Sequence, residues 1–345
     1  MAKPVSQILM VAPAWVGDFV MAQSLFRVLK AANPDVQIDI IAPKHSGPLA
    51  ERMPEIRNFI ELPLGHGQLE LKTRYAIGKK LRDTHYDQAI VLPNSFKSAL
   101  IPWFAKIPKR TGWMGECRVG LLNDVRRLDP KEYPLMVERF VALAYDKKNI
   151  PSKLDCPRPR LVVKPDSLSA TFASLGMEAP TRPVWALCPG AEYGPAKRWP
   201  AEYYGELARR LIADGADVWL FGSPKEAFLG DTIQAHCEGR AFNVIGRTQL
   251  AQAIDLMSCV TGVITNDSGL MHVAAALDKP MIALYGSSSQ SFTPPLSDKV
   301  RVLNLQLSCS PCFERVCPLQ HFKCMNDMLP EYVYSHVQTL RRDYL

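Results

Sequence analysis

The sequence lacks several patterns that would assign a chain of this length to a particular class. No run of 18 apolar residues occurs, so we expect no membrane-spanning helix. The first apolar run, residues 8–12, is short, and the next is broken by Gly17 and Asp18 without a small-residue cleavage site. We therefore expect no signal peptide and a cytoplasmic protein.

Two further absences limit the kinds of binding partner that we expect. The sequence has no Lys/Arg-rich tract with interleaved aromatic residues, so nucleic acid is the weakest candidate among anionic partners and we expect none. It also has no Asp-x-Asp pair, so nothing favours a divalent cation at an anion site.

The composition is that of a soluble globular protein, with 47% hydrophobic and 22% charged residues. A chain of 345 residues is too long for one ordinary core, so two domains are expected. The formal charge is 41 − 34 = +7, which suits an anionic partner such as a phosphate or an acidic lipid surface.

Nine cysteines are present, and five of them are scattered without the spacing of a disulfide framework, as in a reduced compartment. The other four form a compact series, C-x2-C-x4-C-x6-C, with His321 nearby; they are Cys309, Cys312, Cys317 and Cys324. This series is a candidate structural metal site, but it lacks the two C-x2-C pairs of a standard zinc ribbon. Reduced or redox-labile thiols are the favoured interpretation.

Apolar runs alternate with helical patterns in both halves of the chain. The predicted strands are residues 8–13, 37–42, 59–62, 88–92, 184–188, 217–221, 243–245, 262–265 and 281–285. The predicted helices are residues 19–31, 68–82, 95–105, 201–213, 225–237, 251–258, 270–277 and 331–342. Such alternation indicates βαβ units and parallel sheets, an α/β fold.

A proline-rich stretch, residues 150–183, separates the halves and is interpreted as a linker. The expected domains are residues 1–165 and 166–328. A C-terminal helix in residues 329–345 could pack back on the first domain.

The most informative motif is residues 264–277, ITNDSGLMHVAAAL, in which a strand-like run ends at Asn-Asp-Ser-Gly and a helix follows at once. Such a turn offers a carboxylate, a hydroxyl and unpaired backbone N–H groups at a positive helix end, which is an anion site. His272 lies on the same helical face as Ser268 and is a candidate ligand, or a structural histidine.

Two other strand-to-helix turns of the second half carry candidates. Residues 189–200 bring Lys197 to a strand end, where it could bind phosphate or lie in a solvated loop. After the next strand, Glu226 could accept hydrogen bonds from ribose hydroxyls or act as an ordinary first-turn carboxylate.

The first half repeats the arrangement. Asp18 follows Gly17 at a predicted helix start, where it could be a general base or merely a carboxylate that stabilises the helix dipole. A basic, polar face could form from residues 93–98, residues 109–113 and Arg118, although solvated surface charge explains these residues equally well.

Five motifs, in this order, resemble the ADP-heptose:lipopolysaccharide heptosyltransferases of glycosyltransferase family 9. They are Trp15-Val16-Gly17-Asp18, residues 92–100, residues 110–113, residues 189–200 and residues 265–272. The resemblance covers essentially the whole chain and is closest to the enzymes that add the second heptose.

The resemblance implies a GT-B fold, in which two Rossmann-like parallel-sheet domains face each other across a central cleft. It implies an inverting transfer of L-glycero-D-manno-heptose from ADP-heptose, without a metal or other cofactor, to the first heptose of the Kdo2–lipid A inner core. The acceptor would be met at the cytoplasmic face of the inner membrane, so peripheral contact with that anionic surface is expected.

The resemblance also implies roles for individual residues. The catalytic residues would be Asp18, as general base, and Lys197. The donor-binding residues would be Glu192, Tyr193, Lys197, Glu226, Thr248, Asp267, Ser268, Gly269 and His272. The acceptor-binding candidates are Asn94, Ser95, Lys97, Arg110 and Arg118.

Three alternatives stay open at this point. The chain could be heptosyltransferase I or a later-acting member of the same family. It could also be a nucleotide-sugar epimerase, which needs no second sugar, or a nucleotide-sugar or metal-responsive binding protein built around the four cysteines.

Overall fold

The computed structural model describes residues 5–65 and 67–345. It divides the chain into two compact units, residues 1–159 and 160–345. The division falls six residues before the boundary expected from the sequence. In the described part of the chain, no helix combines the length and apolar character that a bilayer crossing requires.

Within residues 5–65 and 67–159, the first unit forms six strands and five α-helices. The strands are β1 (Gln7–Val11), β2 (Gln37–Ala42), β3 (Ile56–Glu61), β4 (Gln88–Val91), β5 (Lys109–Trp113) and β6 (Asp124–Arg126). The helices are α1 (Val16–Ala32), α2 (Gly47–Ala50), α3 (Leu71–Lys80), α4 (Leu100–Phe104) and α5 (Met136–Val141).

The six strands of the first unit form one parallel sheet in the order β3-β2-β1-β4-β5-β6. β1 and β4 are almost wholly buried, which explains their nearly continuous apolar sequences. The chain order reverses between β1 and β4, so this is the point at which a parallel sheet opens a crevice for a ligand.

The second unit contains six strands and seven α-helices. The strands are β7 (Val184–Cys188), β8 (Asp217–Leu220), β9 (Phe242–Asn243), β10 (Gly262–Asn266), β11 (Met281–Leu284) and β12 (Val300–Leu303). The helices are α6 (Pro165–Leu175), α7 (Ala201–Ala213), α8 (Ala227–His236), α9 (Leu250–Ser258), α10 (Gly269–Ala276), α11 (Lys323–Asn326) and α12 (Pro330–Tyr344).

The second sheet is also parallel, in the order β12-β11-β10-β7-β8-β9. One apolar cluster joins this sheet to α7, α8 and α12. The expected α/β fold of two Rossmann-like parallel-sheet units is confirmed.

Several elements differ from the sequence-based expectation. The proline-rich stretch is not only a linker, because α6 lies within it; Pro165 is tolerated at its first turn, and Gly176, at φ 63°, ends it. β5, β6 and β12 were not predicted, since they are short and carry charged residues. α12 packs against α7, β11 and β12, which makes it part of the second unit.

Candidate functional site

Three turns that carry predicted donor residues meet at one edge of the second sheet. β10, β7 and β8 are neighbours and run parallel, so their carboxyl ends lie side by side. The turns that follow them hold Asp267, Lys197 and Glu226. The chain order reverses between β7 and β10, so the turns surround the crevice of this sheet.

Lys197 and Asp267 form the central ion pair of this edge. The Nζ atom of Lys197 lies 2.6 Å from Oδ2 of Asp267, and the two side chains are 16% and 5% exposed. The ammonium group also lies 5.0 Å from the ring centroid of Tyr193. A cation is thus fixed in position at the end of β7, with a partner that neutralises it until an anion arrives.

Asn266 fixes the turn after β7 to the end of β10, a role that the sequence analysis missed. Its buried Oδ1 accepts hydrogen bonds from the backbone N–H of Trp199 (3.1 Å) and the hydroxyl of Tyr204 (3.1 Å). Its Nδ2 donates to the carbonyl of Pro189 at 2.8 Å. The only sequence signal was its place before Asp267, since an amide gives no hint of which backbone groups it will meet.

Ser268 is the N-cap of α10, and Gly269 is the first helical residue. The first N–H groups of a helix have no partner within it, so they face the carboxyl edge of the sheet as anion donors. Thr265 Oγ1 lies 3.4 Å from Ser268 Oγ, a contact that orients the cap hydroxyl.

His272 is buried in α10, 5% exposed. Burial lowers its pKa from 6.5 to about 4, the positive charge of Lys197 adds to this, and the Asp267 carboxylate opposes it. The imidazole is therefore neutral near pH 7. It can hydrogen-bond a ligand but does not bring a positive charge to this edge of the sheet. Lys197, in the turn after β7, does bring one.

Glu226 is a buried capping residue. Its Oε2 accepts hydrogen bonds from the backbone N–H of Ser223 (2.7 Å) and from the Ser223 hydroxyl (2.9 Å). A Cβ atom added at Gly190 would lie 1.9 Å from Oε1, so only glycine lets the turn after β7 approach this carboxylate. The structure shows the ordinary first-turn function directly.

The remaining donor candidates lie nearby. The exposed Glu192 forms an ion pair with Lys225 at 2.7 Å, which raises the pKa of Lys225. Thr248 lies half-buried after β9, in the stretch whose Gly246 N–H donates to the carbonyl of Gly222 at 3.1 Å. This contact keeps the stretch beside the end of β8.

In the first unit, Asp18 is an acidic residue of the first turn of α1 and is half-buried. The turn before it is held by a contact between His45 Nε2 and the carbonyl of Ala14 at 2.8 Å. Because β1 precedes this turn and β4 is the neighbouring strand, Asp18 and the turn after β4 share one edge of the sheet.

The turn after β4 is held by Arg118, which is only 2% exposed. Its NH1 donates to the carbonyl of Pro93 at 2.6 Å, and its NH2 to Asn94 Oδ1 at 3.3 Å and to the carbonyl of Trp113. Burial lowers the pKa of Arg118 to about 10. Arg118 therefore binds its own chain and positions Asn94, so its predicted acceptor contact is not supported.

Ser95 and Lys97 lie in the same turn. Ser95 is the N-cap of a 3₁₀ turn, Phe96–Ala99, and its carbonyl accepts the Ser98 hydroxyl at 2.5 Å. Lys97 is half-exposed. Its side chain is a cation that this edge can offer an acceptor.

Arg110 lies within a strand and does not contribute to the basic, polar face considered in the sequence analysis. It is the second residue of β5, and its guanidinium donates to the carbonyls of Leu121 (2.5 Å) and Ile107 (2.5 Å). A cation used in this way supports the strand, which also accounts for a charged residue in a parallel sheet. This placement does not support an acceptor-binding role.

The four clustered cysteines line one small pocket together with Ala196, Ser287 and His321. All four are free thiols. Among residues 5–65 and 67–345, however, no three His, Cys, Asp or Glu side chains are placed to hold a metal ion, so the candidate metal site is not supported.

The chain matches the family model described as glycosyltransferase family 9 (heptosyltransferase) over residues 74–323. It is 53% identical over 344 residues to lipopolysaccharide heptosyltransferase 2 of Salmonella typhimurium, covering 97% of this chain and 98% of the relative. It is 52% identical over 307 residues to lipopolysaccharide heptosyltransferase 2 of Escherichia coli, covering 87% and 88% of the two chains.

The solved structure of ADP-heptose LPS heptosyltransferase II from Escherichia coli is also similar. It superposes with a TM-score of 0.87 at 45% identity, over 97% of this chain and 98% of that one. A family 9 glycosyltransferase from Veillonella parvula superposes with a TM-score of 0.84 at 20% identity, which shows a shared fold.

Proposed function

This chain belongs to glycosyltransferase family 9, and from that premise we propose that it transfers a heptose from ADP-heptose to the lipopolysaccharide inner core. The enzyme is a heptosyltransferase, and we infer its acceptor to be the inner core that already bears one heptose. The similarity to heptosyltransferase 2 proteins over nearly the whole chain supports this choice over the first or a later heptose.

The observation that carries the donor assignment is the Lys197–Asp267 pair beside the start of α10. A diphosphate at this edge would take the Lys197 ammonium and the N–H groups at Ser268 and Gly269. These groups would stabilise the charge that develops on the ADP leaving group. Rigid donors of this kind cost no reorganisation during the reaction.

Asp18 is proposed as the general base. It would accept the proton of the acceptor hydroxyl as that oxygen attacks the anomeric carbon and the bond to ADP breaks. A direct displacement inverts the anomeric configuration. Asn94, Ser95 and Lys97 follow the neighbouring strand and are proposed to bind the acceptor.

The test is ADP release from ADP-heptose, measured with two purified acceptors: Kdo2–lipid A with no heptose and with one. Release only with the one-heptose acceptor is expected. Release only with the heptose-free acceptor would assign the first transfer and overturn the acceptor proposal. ADP-heptose consumption without any acceptor would instead indicate an epimerase.

A further inference from the structure

The loop that carries Tyr193 and Lys197 is held by a distant part of the chain. We call residues 189–200 the donor loop and residues 309–324, which contain the four clustered cysteines, the cysteine segment. The Tyr193 hydroxyl donates to the carbonyl of Phe313 at 2.7 Å. The Ala196 N–H donates to the carbonyl of Arg315 at 3.1 Å. Two carbonyls of the cysteine segment thus fix two positions of the donor loop.

Arg315 also reaches the donor loop with its side chain. Its guanidinium lies 5.1 Å from the ring centroid of Tyr193, and the Lys197 ammonium lies 5.0 Å from the same centroid. Both cations are attracted by one ring, so each is held close to Tyr193. Lys197 donates to Asp267 and lies beside the same ring, so the orientation of Tyr193 affects where its charge sits.

Gly194 shows how closely the two stretches approach. A Cβ atom added there would lie 2.3 Å from the carbonyl oxygen of Arg315. The backbone of Gly194 is extended, with φ 164° and ψ 167°, so its conformation suits any residue. Only the space taken by the cysteine segment requires glycine.

The cysteine segment is itself anchored to the sheet. The Phe313 N–H donates to the carbonyl of Ser287 at 2.7 Å, and the Ser310 hydroxyl donates to the carbonyl of Gly286 at 2.5 Å. Gly286 and Ser287 follow β11, the strand beside β10. The segment therefore has a fixed base from which it can hold the donor loop.

The four thiols lie beside the donor loop. Ala196, the neighbour of Lys197, forms part of the wall of the pocket that the four cysteines line. Cys317 is half-exposed; burial acts to raise its pKa, but hydrogen bonds from the backbone N–H groups of residues 319–322 together outweigh burial and lower it. Burial raises the pKa of Cys324 to about 11. Cys317 is therefore the more reactive of the two thiols.

We propose that the cysteine segment positions the donor loop, with Phe313 and Arg315 as its positioning residues, and that covalent modification of its thiol pocket weakens donor binding. The proposal rests on the proposed function, since it assigns Tyr193 and Lys197 to the ADP-heptose site. It gives the four cysteines a function that needs no metal and no chemistry on the sugar.

The first experiment compares Arg315→Ala, Arg315→Lys and Gly194→Ala with wild type. Steady-state kinetics give KM for ADP-heptose and for the acceptor, and calorimetry gives Kd for ADP. Arg315→Ala is expected to raise the donor KM and the ADP Kd about three- to fivefold, with the acceptor KM within about twofold; kcat should fall by a similar few-fold factor, because Lys197 also stabilises the leaving group. Arg315→Lys keeps the cation and should recover most of this loss.

Gly194→Ala should have a larger effect, above about tenfold, because the carbonyl of Arg315 must move. Arg240→Ala is the matched control, since Arg240 is a half-exposed arginine of the same unit that pairs with Glu238 at 3.4 Å. In a Lys197→Ala background, the effect of Arg315→Ala should largely disappear, because Arg315 acts through the position of Lys197. Full additivity, or a fall in kcat with unchanged donor KM, would overturn the proposal.

The second experiment uses iodoacetamide. The thiolate of Cys317 displaces iodide and forms a carbon–sulfur bond, and the thiol proton goes to the buffer. Mass spectrometry confirms the modified residue. Alkylation should raise the ADP Kd of wild type several-fold and leave that of Cys317→Ser nearly unchanged, while the exposed Cys117 reacts in both and serves as the internal control.

The outcomes separate the inference from the proposed function. A wild type that binds ADP and transfers heptose, with variants and alkylated protein indistinguishable from it, overturns the inference alone. A wild type that neither binds ADP nor uses ADP-heptose overturns both.

Discussion

At the scale of single residues, the first unit places one carboxylate where chemistry can use it. Asp18 stands in the first turn of α1, after β1 and next to the turn that carries Asn94. The same position would also suit a residue that merely stabilises the helix dipole, which contributes about 0.3–1 kcal/mol. The two functions predict very different effects of substituting Asp18.

Asp18→Asn should lower kcat by about two to four orders of magnitude, the contribution expected of a general base, while the ADP Kd stays unchanged. Asp166→Asn is the control, because Asp166 is the first-turn carboxylate of α6. It should change only stability, by less than about 1 kcal/mol. Near-wild-type turnover of Asp18→Asn would remove Asp18 from the role of base.

His272 makes the free energy of unfolding depend on pH. Its burial-lowered pKa of about 4 means that the unfolded chain, with a histidine pKa of 6.5, binds more protons below pH 6.5. Stability should therefore fall as the pH drops from about 6.5 towards 4, by roughly 3 kcal/mol in total. Denaturant unfolding of wild type and His272→Gln over this range checks it; parallel pH curves would contradict it.

At the scale of elements, a buried charge joins two strands of the first sheet to the residues that precede a third. Asp39 of β2 is 2% exposed. It accepts hydrogen bonds from Arg57 of β3 (2.8 Å) and from the Tyr86 hydroxyl, just before β4 (2.6 Å). Burial alone would raise its pKa, but these hydrogen bonds and the charge of Arg57 outweigh burial and lower it.

Asp39→Ala should destabilise the first unit by about 3–5 kcal/mol, because it leaves a guanidinium and a hydroxyl without their buried partner. Asp35→Ala, in the exposed turn before β2, should cost less than about 0.5 kcal/mol. Chemical denaturation of both variants measures the difference. Equal midpoints for the two would show that the cluster contributes nothing to stability.

The strands and helices also differ in how well the sequence pattern predicts them. β1, β4, β7 and β10 are apolar runs that end at Gly, Pro, Asn or Asp, so pattern alone locates them. β5 is not predicted because Lys109 and Arg110 break its apolar pattern. Lys109 pairs with Asp146, and Arg110 donates to backbone carbonyls elsewhere in the chain. α6 is not predicted because prolines at the start of a helix cannot be distinguished by sequence from those of a linker.

At the scale of the whole molecule, the net charge of +7 favours contact with anionic surfaces. An acceptor that carries phosphates and carboxylates would lie in an anionic surface, and basic side chains are attracted to such a surface. We expect peripheral association that weakens with salt, because exposed charges are screened within about 8 Å at 0.15 M ionic strength.

Co-sedimentation with vesicles of phosphatidylglycerol, at 0.05 M and 0.5 M salt, measures this association. Binding should fall severalfold at the higher salt, and vesicles of phosphatidylcholine alone should bind little at either. Association that ignores both ionic strength and lipid charge would contradict an electrostatic origin.

Local periodicity and backbone chemistry suffice to predict the α/β class, the two-part organisation and the turns at which the candidate residues lie. The charge and the hydrogen-bond partners of each side chain depend on the tertiary structure. It paired Lys197 with Asp267, neutralised His272, committed Glu226 to its capping box, and turned Arg110 and Arg118 inward. Charge, burial and hydrogen-bond partners come from residues far apart in the chain, so no local pattern contains them.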